Sequence, residues 1–430
     1  MSIIDSNTPI TTYLINLDHR IDRRQHILKE FKDRSEFKVK LYPAIKHEFG
    51  NVGLWLTIRE IISYELNTEN EFIIICEDDH EFTASYDQAK LFQSITSAQR
   101  FEPDVILGGM SWFHSSVQVD RDLFWVDTFN GFQFTILKRS IFERIINYEY
   151  DNNVHSDYVL SSISDKKFCL YPFISKQKEF GYSDINQRNS ESGYLNEIFS
   201  TTEAVLKNHT LINKVYGIGT TPAAVADIGD EDIKFPVNLI RYGRDLSAIE
   251  KQFSGKPEFI LKHFLLRDEE QEINTWNTVV TIIEQAVADG DDFAIVATEA
   301  HRFTSSYAYQ RLISAITNAH YFGATILTGI SEGEDQLIYI GADIFWINSI
   351  SSLKFLVLYG NLFGKILNYN FKTNDSVIEV LSNLTTNKLA VFPFFSTPDA
   401  AVANPHRKRF YASPELRFEK IKEIKLSYSK

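Results

Sequence analysis

The chain carries one pattern twice. Trp55-Leu56-Thr57, Phe72-Ile73 and His80-Glu81-Phe82-Thr83 return as Trp276-Asn277-Thr278, Phe293-Ala294 and His301-Arg302-Phe303-Thr304, each 221 residues later. Leu170-Tyr171-Pro172-Phe173-Ile174-Ser175 meets Val391-Phe392-Pro393-Phe394-Phe395-Ser396 at the same shift, and Asn16-Leu17 meets Asn238-Leu239 at 222. Matches in this order at nearly one spacing indicate an internal duplication. A duplicated chain must fold as two similar bodies. At 430 residues it is also too long for one ordinary domain. The expected division is a first domain over 1–215, a linker over 216–234 rich in Gly and acids, and a second domain over 235–430.

Within the first copy, strand and helix signals alternate. Thr12–Leu17, Phe72–Cys76, Val105–Leu107, Leu123–Val126, Phe132–Leu137 and Phe168–Tyr171 read as strands. Arg20–Phe31, Leu54–Leu66, Tyr86–Ser97, Ser140–Tyr148 and Asp157–Ile163 read as helices between them. Such alternation predicts an α/β fold with a mostly parallel, helix-covered sheet. Cys76 and Cys169 fall in predicted buried strands and read as small core hydrophobes. The charge of −13 disfavours a polyphosphate-binding surface, so nucleic acid is a poor expected partner. No segment reaches 18 consecutive apolar residues, and the N-terminus lacks the regions of a signal peptide. A cytoplasmic protein is expected, with peripheral membrane contact left open. The charged helix predicted over Arg417–Lys425 reads as a packed surface helix rather than a membrane anchor.

The apolar run from Phe72 ends abruptly in Glu77-Asp78-Asp79. Unpaired carboxylates are costly inside a core, so these acids belong at the strand's exposed carboxyl end. Alternation along an extended strand puts Glu77 and Asp79 on one side and Asp78 on the other. Two convergent carboxylates there would seat a hard divalent cation. A solvated acidic turn is the competing reading. The duplication weighs against it: the second copy has Thr298-Glu299-Ala300 in the same frame, and Asp157 has become Ile378. His80 persists as His301, which argues for a structural role.

Tyr13-Leu14-Ile15-Asn16-Leu17-Asp18-His19-Arg20-Ile21-Asp22-Arg23-Arg24 resembles the opening strand and turn of glycosyltransferase family 25. The helix led by Gly53 and the strand ending Glu77-Asp78-Asp79 continue the likeness, as do Asp104–Gly108, Gly131–Ile136 and Ser183-Asp184-Ile185. Together they cover roughly residues 10–190. One departure is Thr57-Ile58, where the family commonly has Ser-His. The resemblance implies tandem GT-A-like domains, nucleotide-diphospho-sugar transferase folds, with the second degenerate. It also implies an inverting hexosyltransferase using manganese or another divalent cation and a UDP-sugar, UDP-galactose or UDP-glucose. The implied acceptor is a hydroxyl of a cell-surface glycan such as lipopolysaccharide.

The candidate site residues follow. Glu77 and Asp79 are the expected metal ligands, with His209 as a third. Asp78 would assist through water. Arg20 and Arg23 are suited to bidentate phosphate contacts, with a solvated helix face as the alternative. Asn16 would contact the base or ribose, or serve only as a turn residue. Gly108 would permit close approach of a ligand, and Ser183 would contact the donor. Direct displacement needs a carboxylate to take the acceptor's proton. Asp157 is the first candidate, with a helix cap as its alternative, and Asp184 is the second. Two other functions stay open: a non-catalytic scaffold of two GT-A-like domains, and a nucleotide-sugar hydrolase. Homodimer formation is also open.

Overall fold

The computed structural model describes residues 8–151, 154–182, 187–217, 233–242, 247–266, 271–332, 336–397 and 413–428. The chain separates into two compact units, Met1–Leu211 with Ile424–Tyr428, and Ile212–Glu423. Most of the expected linker, including its Gly- and acid-rich part, lies outside the described residues.

The first unit is built on an eight-stranded mixed sheet. Its strands are β1 (Ile10–Asn16), β2 (Phe37–Pro43), β3 (Phe72–Glu77), β4 (Val105–Leu107), β5 (Ser116–Asp120), β6 (Leu123–Val126), β7 (Phe134–Lys138) and β8 (Lys167–Leu170). They lie in the order β2-β1-β3-β7-β4-β8-β6-β5. β1 pairs in parallel with both β2 and β3, whereas β7 runs antiparallel between β3 and β4. The run Phe72–Cys76 is buried throughout, as expected of a strand covered on both faces. Helices Gly50–Glu65, Phe142–Asn147 and Ser156–Ile163 supply apolar residues to one cover, with Trp55, Ile58, Ile62, Phe142 and Leu160 fully buried. Cys76 and Cys169 are both buried free thiols.

The second unit repeats the plan. Its strands β9 (Phe235–Arg241), β10 (Phe259–Leu265), β11 (Phe293–Thr298), β12 (Ile326–Thr328), β13 (Leu337–Gly341), β14 (Ile344–Ile347), β15 (Phe355–Tyr359) and β16 (Lys388–Val391) form a second sheet. Their order, β10-β9-β11-β15-β12-β16-β14-β13, is that of the first sheet strand for strand. Side-chain contacts repeat as well. His80 Nδ1 meets Ser175 Oγ at 2.7 Å, and His301 Nδ1 meets Ser396 Oγ at 2.9 Å. Trp125 donates to the Asp165 carbonyl and Trp346 to that of Thr386. Buried Lys167 and Lys388 each donate to two loop carbonyls, at Ser161 and Ser164 and at Ser382 and Thr385. His80 and His301 are thus struts, each tying its segment to the serine that follows the cis proline.

One equivalence needs correction. Ile15 pairs with Glu77, and Ile240 with Thr298, so the first strands correspond at a shift of 225. Asn16 therefore corresponds to Arg241, not to Asn238, whose amide lies mid-strand and donates to the Ile295 carbonyl. Beyond the following helix the shift is 222. Phe31 packs on Phe37 and Phe82 as Phe253 packs on Phe259 and Phe303. The segment from the first strand to this phenylalanine is therefore three residues longer in the first unit; it holds Arg20 and, in the helix Ile21–Glu30, Arg23.

The C-terminal helix spans Pro414–Tyr428, and Phe418, fully buried, packs on Phe345, Phe392 and Phe394. Among the described residues no helix is long and apolar enough to cross a membrane.

Candidate functional site

The acids sit where the strand pattern placed them, at the carboxyl end of β3 beside the carboxyl end of β1. The alternation expected of them does not hold. β3 stops at Glu77, residues 78 and 79 form a tight turn, and His80–Phe82 returns as a short strand pairing with Ser175–Gln177. The turn brings Asp78 and Asp79 to one partner. Arg23 Nη1 lies 3.1 Å from Asp78 Oδ1 and 3.3 Å from Asp79 Oδ2.

Asp78 is fully engaged. Its Oδ2 accepts from Asn16 Nδ2 at 2.9 Å and lies 3.8 Å from Arg20 Nη1. Asn16 is therefore an anchor for Asp78 and for the Arg20 carbonyl, which its amide also reaches. Arg23 acts as a clamp. Its Nη2 donates to the Tyr182 carbonyl at 2.8 Å, and its guanidinium carbon lies 4.8 Å and 4.6 Å from the ring centres of Phe180 and Tyr182. With both terminal nitrogens committed to the protein, Arg23 holds acids rather than a phosphate in this arrangement.

Asp79 Oδ1 is buried with no hydrogen-bond partner. Burial, which outweighs the nearby Arg23, pushes the Asp79 carboxyl up to about 6. Glu77 is raised well above the ordinary carboxylate range, first by burial and then by the charges of Asp79, Asp157 and Asp78. Asp157 thus belongs to the same electrostatic neighbourhood. It stands in the first turn of the helix Ser156–Ile163, buried, with its own carboxyl raised by burial. The N–H of Gly131 donates to Asp157 Oδ2 at 2.8 Å. The side chain does not cap its own helix, whose cap residue is His155.

Gly131 sits at φ +137°, and a Cβ there would come 2.9 Å from Met110 Cα. Both features require glycine. Gly131→Ala is expected to cost about 2–3 kcal/mol in stability and to displace Asp157. Denaturant unfolding of the purified variant would measure it, and an unchanged midpoint would show that the loop accommodates a side chain.

Other expected residues fare differently. His209 is buried on the helix Tyr194–Tyr216, where its Nδ1 meets Ser116 Oγ at 3.2 Å on β5. It does not join Glu77 and Asp79, and among the described residues no three His, Cys, Asp or Glu side chains gather as metal ligands. Gly108 also has a packing reason to be glycine: a Cβ would lie 2.7 Å from the Phe134 ring. Gly329 faces Phe355 at 2.9 Å in the same way, so this close approach exists in the copy without the acids. Ser183 and Asp184 lie outside the described residues.

Two residues escaped the sequence reading. Gln133 is fully buried beside the acids; its carbonyl accepts from the Glu77 N–H at 3.2 Å, and its Nε2 donates to the Gly109 carbonyl. Tyr182 covers Arg23 and donates to Asp22. The aromatic Phe180-Gly181-Tyr182 near Ser183 was the available signal.

As a seat for a divalent cation, the donor set is two carboxylates, Glu77 and Asp79. An unpartnered buried oxygen and raised carboxyl pKa values fit such an ion, with the remaining positions left to ligand oxygens and water.

No protein-family model matches the chain, and no curated protein matches it significantly. Among solved structures it is similar to A197 from STIV, at 10% identity over 36% of this chain and 81% of that one, with a TM-score of 0.27. It is also similar to a UDP-glucose pyrophosphorylase complexed with UDP-glucose, at 12% identity over 46% and 83%, TM-score 0.29. The glycosyltransferase GlyE of Streptococcus pneumoniae TIGR4 matches at 9% identity over 72% and 94%, TM-score 0.27. At these TM-scores the neighbours add nothing to the geometry of the site.

Proposed function

We propose that the first unit is a metal-dependent glycosyltransferase that moves a hexose from a UDP-sugar to an acceptor hydroxyl, as its resemblance to family 25 implies. One observation carries the reading. On a frame built twice, only the first copy gathers Glu77, Asp79 and Asp157 at the carboxyl end of its sheet, with one carboxylate oxygen buried and unpartnered. Crevices at the carboxyl ends of strands in open α/β sheets are where such folds bind ligands.

Glu77 and Asp79 would hold the divalent cation, which when bound supplies positive charge to the diphosphate leaving group. Asn16 and Arg23 fix Asp78, and Arg23 also fixes Asp79, so the turn is set before substrate arrives. Asp157, held by the Gly131 N–H and raised in pKa, is the base that takes the acceptor's proton. The second unit lacks these acids and is an accessory copy.

The test is turnover of UDP-galactose and UDP-glucose by the full chain, with manganese or EDTA and with or without a glycan acceptor. Manganese-dependent turnover stimulated by acceptor supports the transferase; turnover indifferent to every acceptor supports a hydrolase. Asp157→Asn is expected to lower transfer by about 10²–10⁴-fold with little change in donor affinity. No metal-dependent turnover of any UDP-sugar would overturn the enzyme reading.

A further inference from the structure

Gln133 is fully buried at the site, and its Oε1 has no hydrogen-bond partner. A buried carbonyl oxygen without a donor is costly and calls for a reason. The other end of the amide fixes its orientation. Nε2 donates to the Gly109 carbonyl at 3.0 Å, a bond that only the nitrogen can make, so the oxygen is the atom left without a donor.

The strand register says what lies around that oxygen. β7 pairs with β3 through Phe134 and Cys76, and the Glu77 N–H continues the ladder to the Gln133 carbonyl. Gln133 therefore stands directly opposite Glu77 on one face of the sheet; opposed residues of this kind hold their Cβ atoms about 5 Å apart. By alternation this is the face of Ile73, Ile75 and Leu137, which packs with Val159 and Leu160 of the helix that carries Asp157. Oε1 also lies against Gly131, where a Cβ would come 3.0 Å from it, and the Gly131 N–H holds Asp157 Oδ2. Asp79 belongs to the same neighbourhood: after burial, its charge and then that of Asp157 raise the Glu77 carboxyl most. Asp79 Oδ1 and Gln133 Oε1 are thus two buried acceptors without donors, both beside Glu77.

We propose that Gln133 Oε1 is a third, neutral oxygen ligand for the divalent cation seated by Glu77 and Asp79. The proposal rests on the metal-dependent reading of this site. Amide carbonyls and carboxylates are the hard oxygen donors that suit manganese, magnesium and calcium. A neutral ligand adds a coordinating oxygen without adding another negative charge to Glu77, Asp78 and Asp79. The second unit supports the assignment. The Thr298 N–H donates to the Lys354 carbonyl, so Lys354 stands at the Gln133 position. Where the acids are gone, the acceptor is gone too: the replacing side chain ends in a donor, with Nζ 3.3 Å from the Thr397 carbonyl. A glutamine needed only by the frame would recur in both copies, as His80 and Ser175 do.

The test is manganese binding to the full chain without a sugar donor, followed by titration calorimetry and by loss of the free-ion paramagnetic resonance signal. Gln133→Met keeps the length of the side chain and removes the oxygen. It is expected to weaken manganese binding at least about tenfold. Gln133→Glu keeps an oxygen at the same place and is expected to bind manganese more tightly than wild type. Thermal melts in EDTA show whether each variant folds, and added manganese should raise the melting temperature of wild type and Q133E more than that of Q133M. If Q133M does not fold, Q133E decides: tighter binding supports the ligand, and weaker binding overturns it. Wild-type affinity in a folded Q133M overturns the assignment and leaves the two-carboxylate seat standing. No manganese binding by wild type, with or without UDP, is a different failure: it removes the metal reading itself.

Discussion

Asp79→Asn is expected to lower manganese-dependent donor turnover at least about a hundredfold and, at pH 8, to make the protein more stable. The two effects share one cause. Asp79 keeps one oxygen buried and unpartnered, and its carboxyl is raised from 3.8 to about 6. A carboxyl raised in the folded state contributes stability that is fully present below its unfolded pKa and lost as pH rises through its folded pKa. The shift corresponds to about 2–3 kcal/mol by pH 8. Glu77 is raised in the same direction and adds to the effect. Between pH 8 and pH 5 the metal-free wild type should therefore become more stable, and Asp79→Asn should flatten that slope. Manganese should flatten it too, by holding the carboxylates charged in the folded state. Thermal melts from pH 5 to 8, with EDTA or manganese, measure all three. If Asp79→Asn melts lower than wild type at pH 8 and keeps the full slope, the carboxylate is not held against its own charge.

Much of this site was legible because it rests on local pattern. An apolar run that cannot be exposed, ended by acids that cannot be buried unpaired, locates Glu77–Asp79 at a strand's carboxyl end. The repeat reads similarly, because Trp55, His80 and Ser175 do packing work that any copy of the frame must repeat. Contacts between distant segments were not legible. Arg23 and Tyr182 are 159 residues apart, and no local pattern says that a Tyr182 carbonyl and two rings will hold that guanidinium. The Asn16–Asn238 match failed for a related reason. Similar short strings survive by chance, whereas register is decided by hydrogen bonding to β3 and β11. The strand Phe37–Pro43 was missed because its side chains are mostly exposed or half-buried, as befits the sheet's edge.

Arg23→Ala should be the most destabilising single substitution at the site, costing about 3–5 kcal/mol. Arg23 is buried and pairs with both Asp78 and Asp79. Removing it leaves the two carboxylates with only Arg20, 3.8 Å from Asp78, as a nearby cation, next to Glu77, whose pKa is already raised by burial and then by their charges. The cost should fall when an acid is removed as well. In a double-mutant cycle, Arg23→Ala with Asp78→Asn should be less damaging than the two single effects added, with a coupling of about 1–3 kcal/mol. Arg23→Lys separates charge from shape. A lysine keeps one positive charge but cannot bridge Asp78, Asp79 and the Tyr182 carbonyl together while packing against Phe180 and Tyr182. It should recover part of the lost stability, and activity should follow stability rather than charge. Denaturant unfolding of the four cycle members, followed with Arg23→Lys, decides between a clamp and a phosphate contact. A phosphate contact would leave unfolding unchanged in Arg23→Ala and raise only the KM for the donor. A clamp moves the unfolding midpoint before any substrate is added.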